Sequence, residues 1–281
     1  MSKTSRNIPE ISNVSTKDDT MTFKISNINV SFVNALRRTI LSDIPTAVFE
    51  TTPYENNKCT IRENTSRLNN EILKQRLSCI PIYIKDLDTL ENLEVELEKE
   101  NTSESIMNIT TNDFKIKDTT TDKYLSDTEV KKIFPSDKKT GEHILFARLR
   151  SKIAKTLPGE KITLTCKITS STASQNGAFN VVSTCAYSFD DDVKKQNIEW
   201  EKHSKKIAEE EKVDMQLKKK NWFNHEAKRF YKDDAFNFII ETIGVYSNIE
   251  LIKKACSIII NKLNTLKELY NSNKGLIEES K

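Results

Sequence analysis

The stretch that decides the fold is Asn34-Ala35-Leu36-Arg37-Arg38-Thr39, continued at once by Ile40-Leu41-Ser42-Asp43-Ile44-Pro45. It reads as a short amphipathic helix stopped by a proline, which fixes an extended exit. Placed at 100° per residue, Phe32, Val33, Leu36, Ile40 and Ile44 form one apolar arc. Arg38 and Asn34 point to the polar side, whereas Arg37 falls between Ile44 and Leu41 at the edge of the arc. A guanidinium there either snorkels its stem along apolar surface or finds an acceptor, in its own chain or a second protein, because burying it unpaired is very costly.

Working outward, residues 21–28 alternate as a strand, and Asn29 or Ser31 can cap the helix, which runs to about Asp43. Ala47-Val48-Phe49 suggests a second strand. A cap signal at Asn64-Thr65-Ser66 precedes Leu68, Ile72, Leu73 and Leu77 at helical spacing, with Glu71 and Arg76 on the same short helix before Ile80-Pro81. Residues 93–98 and 161–168 alternate strictly, as half-buried antiparallel strands do. Shorter strands are expected at 114–116, 144–147 and 181–189, and Pro158-Gly159-Glu160 is a turn. Asp190-Asp191-Asp192 is expected to end this β-rich section. The mixed-sign run over 198–221, with Glu209-Glu210-Glu211 beside Lys218-Lys219-Lys220, reads as a solvated helix. Residues 235–243 form a strand that stops at Gly244. In the final helix Ile252, Cys256, Ile259, Leu263, Leu266 and Tyr270 step by 4, 3, 4, 3, 4, the spacing of a coiled-coil seam. Such a seam is buried against its own domain or against another chain, and Ile258 and Ile260 widen the arc enough for both.

Composition excludes several functions. The 281 residues carry 44 basic and 41 acidic side chains, a net charge of +3, too small and unclustered for a chain whose task is gripping phosphate backbone. With five glycines in all, no phosphate-cradling glycine loop occurs. Cys59, Cys79, Cys166, Cys185 and Cys256 are far apart, as are His143, His203 and His225, so zinc-ligand spacing is absent; the reading is small buried hydrophobes in a reducing intracellular compartment, with no metal and no cofactor. Met1 to Asp19 are polar and expected to form a disordered tail, and no apolar run long enough to span a membrane is present. No catalytic residue is assigned. His143 beside the acidic turn would be the only basis for a hydrolase, and a free-standing homodimeric scaffold using the 252–270 seam is the rival from another class.

Two short helices each followed by proline, a β-rich middle and a long closing helix together resemble the alpha-like assembly subunits of multisubunit DNA-directed RNA polymerases: the bacterial alpha N-terminal domain, its archaeal counterpart and the third-largest subunit of eukaryotic polymerase II. Four segments carry the likeness. They are Asn34–Pro45; Asn64-Thr65-Ser66 with Glu71 and Gln75–Pro81; Gly177–Thr184, a weaker echo; and Phe236–Gly244 with the 249–269 helix. The resemblance implies an α+β fold in which a discontinuous dimerisation domain of sheet and long helices (20–51 and 186–281) holds an inserted β-rich domain (52–185).

It also implies a non-catalytic platform that pairs with a smaller alpha-like subunit through Phe32, Leu36, Ile40, Leu41, Ile252, Cys256, Ile259, Leu263, Leu266 and Tyr270. Arg37, Arg38, Asn34, Asn64, Ser66, Glu71 and Arg76 are implied to meet the second-largest polymerase subunit, and DNA would be met only through the complex. The family's cysteine-rich zinc loop or iron–sulfur module is missing, so no metal is carried over. Ser78-Cys79 replaces a usual glycine and Asn69-Asn70 replaces acidic residues. With the Asn-, Lys- and Ile-rich composition, these departures suggest a divergent lineage, a large DNA virus before a cellular source, which would place the protein in a cytoplasmic viral factory or virion, or in the nucleus if cellular and eukaryotic.

Overall fold

The computed structural model describes residues 8–152, 154, 158–207 and 214–273. In chain order its strands and helices are β1 (Glu10–Lys17), β2 (Thr20–Ser26), α1 (Val30–Ser42), β3 (Thr46–Phe49), β4 (Cys59–Asn64), α2 (Asn70–Ser78), β5 (Leu93–Glu100), β6 (Met107–Thr110), β7 (Lys115–Asp118) and β8 (Lys123–Tyr124). They continue with α3 (Asp127–Ile133), β9 (Leu145–Leu149), β10 (Lys161–Ser171), β11 (Val182–Asp191), α4 (Val193–Ile207), α5 (Met215–Asn224), β12 (Tyr231–Thr242) and α6 (Asn248–Ser272). The fold class is α+β, as expected. The chain divides into two compact units, each built from separated segments: one holds residues up to Thr39, Val182–Glu241 and Ile259 onward, the other Ile40–Val181 and Thr242–Ile258.

The first unit is organised by a sheet in the order β1-β2-β12-β11. Period-two alternation on β2 and β12 puts Met21, Phe23 and Ile25 opposite Ile240, Phe238 and Phe236 in register, all buried on one face. Phe23 and Phe238 stack with ring centroids 5.1 Å apart, and Tyr187 of β11 meets Phe236 edge-on at 5.6 Å. Each buried ring contributes about 1.5–3 kcal/mol. On the opposite face Asp190 accepts from Lys24 Nζ at 2.6 Å, Lys232 Nζ at 2.8 Å and Asn237 Nδ2 at 3.2 Å.

Two expectations change here. Residues 10–17 were expected in a disordered tail but form β1, because backbone pairing with β2 needs no apolar alternation of its own; residues 1–7 of that tail lie outside the described residues. The aspartate triplet ends the β-rich section as expected: Asp190 and Asp191 close β11, and Asp192 starts α4, its side chain accepting from Lys195 N and its carbonyl from Gln196 N. The charged run is two helices rather than one solvated helix. Trp200, Trp222 and Ala227 pack together between them, with the two indoles 5.6 Å apart, while Glu209-Glu210-Glu211 lie outside the described residues.

In the second unit β10 is the hub. It pairs with β3, β4 and β5, and the sheet continues through β7 to β8, while β6 and β9 form a separate ribbon. Ile162, Leu164, Cys166 and Ile168 alternate along β10 and are all buried, as the strict sequence alternation requires. Leu73 and Leu77 of α2 are fully enclosed in the same core, with Phe49, Phe114, Phe134 and Phe146 in mutual ring contact. Gly159 sits where a Cβ would come within 1.7 Å of the Asn101 carbonyl oxygen, so the turn before β10 tolerates no side chain.

Candidate partner-binding site

On α1, Asn29 Oδ1 accepts from Ser31 N at the helix start, satisfying one of the free donors there. Val33 is buried, Leu36 and Leu41 are half-buried, and Phe32 is 61 % exposed. Phe32 of the apolar arc is thus left uncovered by the core of the described residues. Ile40, assigned to the dimerisation surface, is wholly enclosed by its own chain and serves the core. Half-buried Arg37 donates from Nε and Nη2 to Asn34 Oδ1 at 3.1 and 2.9 Å. Its own helix, a single turn back, thus supplies some of the acceptors that its position demands. Asn34 satisfies two of five donors and none of the charge, and Arg37 forms no ion pair among the described residues. Burial pushes the thiol of Cys185, on β11, up to about 11 even with the Arg37 guanidinium near enough to favour the thiolate.

The second signature is committed inward. Asn64 donates to Leu68 O at 2.7 Å and Asn70 Oδ1 at 2.8 Å, while its own Oδ1 accepts from Ser66 N and Oγ. These two residues shape the loop ahead of α2 instead of capping it. The cap is Asn69, whose side chain accepts from Ile72 N, so one of the asparagines that departs from the family pattern starts the helix. Arg76 donates to the carbonyl oxygens of Phe146 (2.6 Å) and Leu145 (2.7 Å), tying α2 to β9. Asn64, Ser66 and Arg76 thus carry internal bonds, with Arg76 exposed and spending two of its five donors on them. Glu71 remains outward, its carboxylate 78 % exposed and 3.6 Å from Lys74 Nζ.

One cavity of the second unit is lined by residues far apart in the chain. Residues 46–48, 78–82 and 178–180, with Ile243 and Val245, line a mostly apolar cavity of about 160 Å³. Two tyrosines not singled out from the sequence hold this region. Tyr246, fully buried, donates to Pro45 O at 3.1 Å, and Tyr83 donates to Ile243 O at 3.2 Å. Between them Gly244 takes φ +100°, and a Cβ there would meet Tyr83 Oη at 2.9 Å.

Helix α6 begins with a reciprocal cap: Ser247 N donates to Glu250 Oε2 and Glu250 N to Ser247 Oγ. Its buried positions are Asn248, Leu251 and Ala255. The seam read from the sequence lies one position further on and is not core: Ile252 and Ile259 are half-buried, Cys256 is exposed, and Leu263, Leu266 and Tyr270 are 53 %, 63 % and 54 % exposed. With Ile260 and Leu269 also exposed, the last three turns carry an apolar surface that the chain itself does not cover.

Helix α6, 25 residues long, thus starts in a core and ends as an exposed apolar ridge. Residues 22–263 match the model of the RNA polymerase Rpb3/Rpb11 dimerisation domain. The chain belongs to that family. It is 40 % identical over 87 residues to DNA-directed RNA polymerase subunit Rpo3 of Pyrococcus furiosus, covering 29 % of this chain and 30 % of the relative. It is 31 % identical over 80 residues to DNA-directed RNA polymerase II subunit rpb3 of Dictyostelium discoideum, covering 28 % and 24 %. A longer alignment, 25 % identical over 294 residues, links it to subunit rpac1 of RNA polymerases I and III of the same organism and covers 89 % of this chain and 79 % of the relative. The matched stretch thus spans under a third of the archaeal Rpo3 and Dictyostelium rpb3 relatives.

Proposed function

We propose that this Rpb3/Rpb11-family chain is a non-catalytic assembly subunit of a DNA-directed RNA polymerase. It pairs with a smaller alpha-like subunit, and the pair forms the platform on which the large catalytic subunits meet. The observation that carries the reading is the ridge of Ile260, Leu263, Leu266, Leu269 and Tyr270, each more than half exposed, on the closing helix of a dimerisation-domain fold. Covering such side chains gains roughly 25 cal/mol per Å² of apolar surface, which makes the ridge a costly surface in isolation and a natural partner seat. Arg37, half-buried and without an ion pair among the described residues, is assigned to the second-largest subunit, which would supply the carboxylate or carbonyl acceptors. Arg38 and Glu71 share that assignment by their exposure.

The decisive experiment is purification of the tagged chain from its native source. Co-elution of an alpha-like subunit and the polymerase large subunits supports the reading; a self-sufficient homodimer with no polymerase subunit attached overturns it. Arg37→Ala is expected to keep the fold and the alpha-like pairing while loosening the large subunit by about 1.5–3 kcal/mol, the worth of a hydrogen bond to a charged group.

A further inference from the structure

The near-neutral balance of the whole chain conceals a local excess of positive charge. Helices α4 and α5, of 15 and 10 residues, carry eight lysines and two glutamates, a net of +6, which leaves the rest of the chain at −3. One side of α4 is fixed to its surroundings. Gln196, Trp200 and Ile207 are buried, and Gln196 Nε2 donates to the carbonyl oxygens of Ala227 and Phe230 at 3.1 Å each. At 100° per residue, Lys194, Lys195, Lys202, Lys205 and Lys206 fall within an arc of about 120° on the opposite side. All five are exposed. From Lys194 to Lys206 the row runs about 18 Å along the helix, at about 1.5 Å per residue. The only acidic residues of α4, Glu199 and Glu201, stand at the two edges of the arc. Glu199 pairs with Lys202 at 2.7 Å, and Lys195 Nζ lies 5.8 Å from the Phe230 ring centroid. Lys194, Lys205 and Lys206 form no ion pair among the described residues.

We propose that the lysine face of α4 holds the phosphate backbone of duplex DNA within the polymerase assembly. The occupant is argued from charge complementarity. A row of ammonium groups with carboxylates only at its edges fits a polyanion, and duplex DNA presents one negative charge about every 1.7 Å of its axis. The choice of nucleic acid among polyanions rests on the polymerase reading above. That face of α4 carries no aromatic side chain on which the bases of a single strand could stack, and Trp200 and Trp222 are buried together. The contact is therefore with a duplex backbone and independent of sequence.

The test titrates the isolated full chain with a fluorescent DNA duplex of mixed sequence over a range of salt concentrations. A Lys194→Gln, Lys205→Gln, Lys206→Gln variant is compared with a Lys131→Gln, Lys132→Gln, Lys138→Gln variant, which removes as many exposed lysines from the second unit. In the first variant the slope of log affinity against log salt should become shallower by about 1 per lysine, with affinity lower by about tenfold or more at low salt. The second variant should stay near wild type. No duplex binding by wild type at low salt, or an equal loss in both variants, overturns the proposal. Tighter binding of a single strand of the same length, of polyglutamate or of phosphatidylserine vesicles reassigns the face and also overturns it. In wild type the duplex should shield Lys194, Lys205 and Lys206 from acetylation, a readout independent of how the variants fold; if it leaves them as reactive as before, the proposal fails. Recovery of the tagged chain without any polymerase subunit overturns the polymerase reading and the assembly context with it, whereas a failed titration overturns this proposal alone.

Discussion

At the scale of single residues, the Arg37–Asn34 pair shows where reading and structure diverge. That a guanidinium at the edge of an apolar arc needs acceptors was legible in the sequence. That Asn34 would be one of them follows from i,i+3 adjacency on the helix, a signal present in the quoted stretch itself. Gly244 was legible as a strand stop, but not its positive φ or the ring of Tyr83 against it. Gly244→Ala is expected to cost about 1–3 kcal/mol, read as a lower urea midpoint without a change in slope. Asp190 makes a pH prediction. Partial burial works against its ionisation, yet hydrogen bonds from Lys232, Lys24 and Asn237, and the nearby Lys24 charge, hold its carboxyl at about 2, below the ordinary 3.8. A carboxylate with a lowered folded value stabilises above its unfolded value and loses that contribution as pH falls through the folded one. Stability should therefore be steady above pH 4 and decline between about 4 and 2, and Asp190→Asn should flatten that decline in acid titrations followed by circular dichroism.

Elements were legible in proportion to how strongly one period dominated them. The strict alternations of β5 and β10 and the proline-stopped α1 were found because their burial repeats every two or 3.6 residues. Helix α6 was found, and its buried side, Leu251 and Ala255, lies one position before the seam, which the sequence left open to burial in its own domain or against another chain. A wide arc of Ile and Leu fits several seams, and the small Ala255 that lets the helix approach its core carries little hydropathy signal. Its Ser247–Glu250 capping box was a readable start signal. The exposure of Leu263 sharpens the expected outcome of Leu263→Asp: the isolated chain should keep its unfolding free energy to within about 0.5 kcal/mol, while pairing weakens by about 100-fold or more, seen by titration calorimetry. Arg76→Ala is the converse. Its bonds to the Leu145 and Phe146 carbonyls are internal, so about 1–3 kcal/mol of fold stability should be lost with little direct effect on partner affinity.

For the whole molecule, the order of signatures was enough to name the α+β class and the family, whereas the contacts that close the second unit join distant residues: Tyr246 and Tyr83 donate to the carbonyl oxygens of Pro45 and Ile243. Long-range closures of this kind have no local period and were invisible beforehand, as was the Trp200–Trp222 cluster inside a run that charge alone described as solvated. The two units also differ in what they leave uncovered. The second encloses Ile40, Leu73, Leu77, Phe49 and Phe146, whereas the first exposes the α6 ridge and the β1 edge. A ligand that binds only the folded form stabilises it by RT ln(1 + [L]/Kd), about 2.7 kcal/mol at a hundredfold excess over Kd. If the alpha-like subunit seats on the α6 ridge, its addition should raise protection against hydrogen exchange in 259–273 first, while the amides of β10 and β5 change only through global unfolding. Equal protection throughout, or protection confined to the second unit, would move the partner seat away from the α6 ridge.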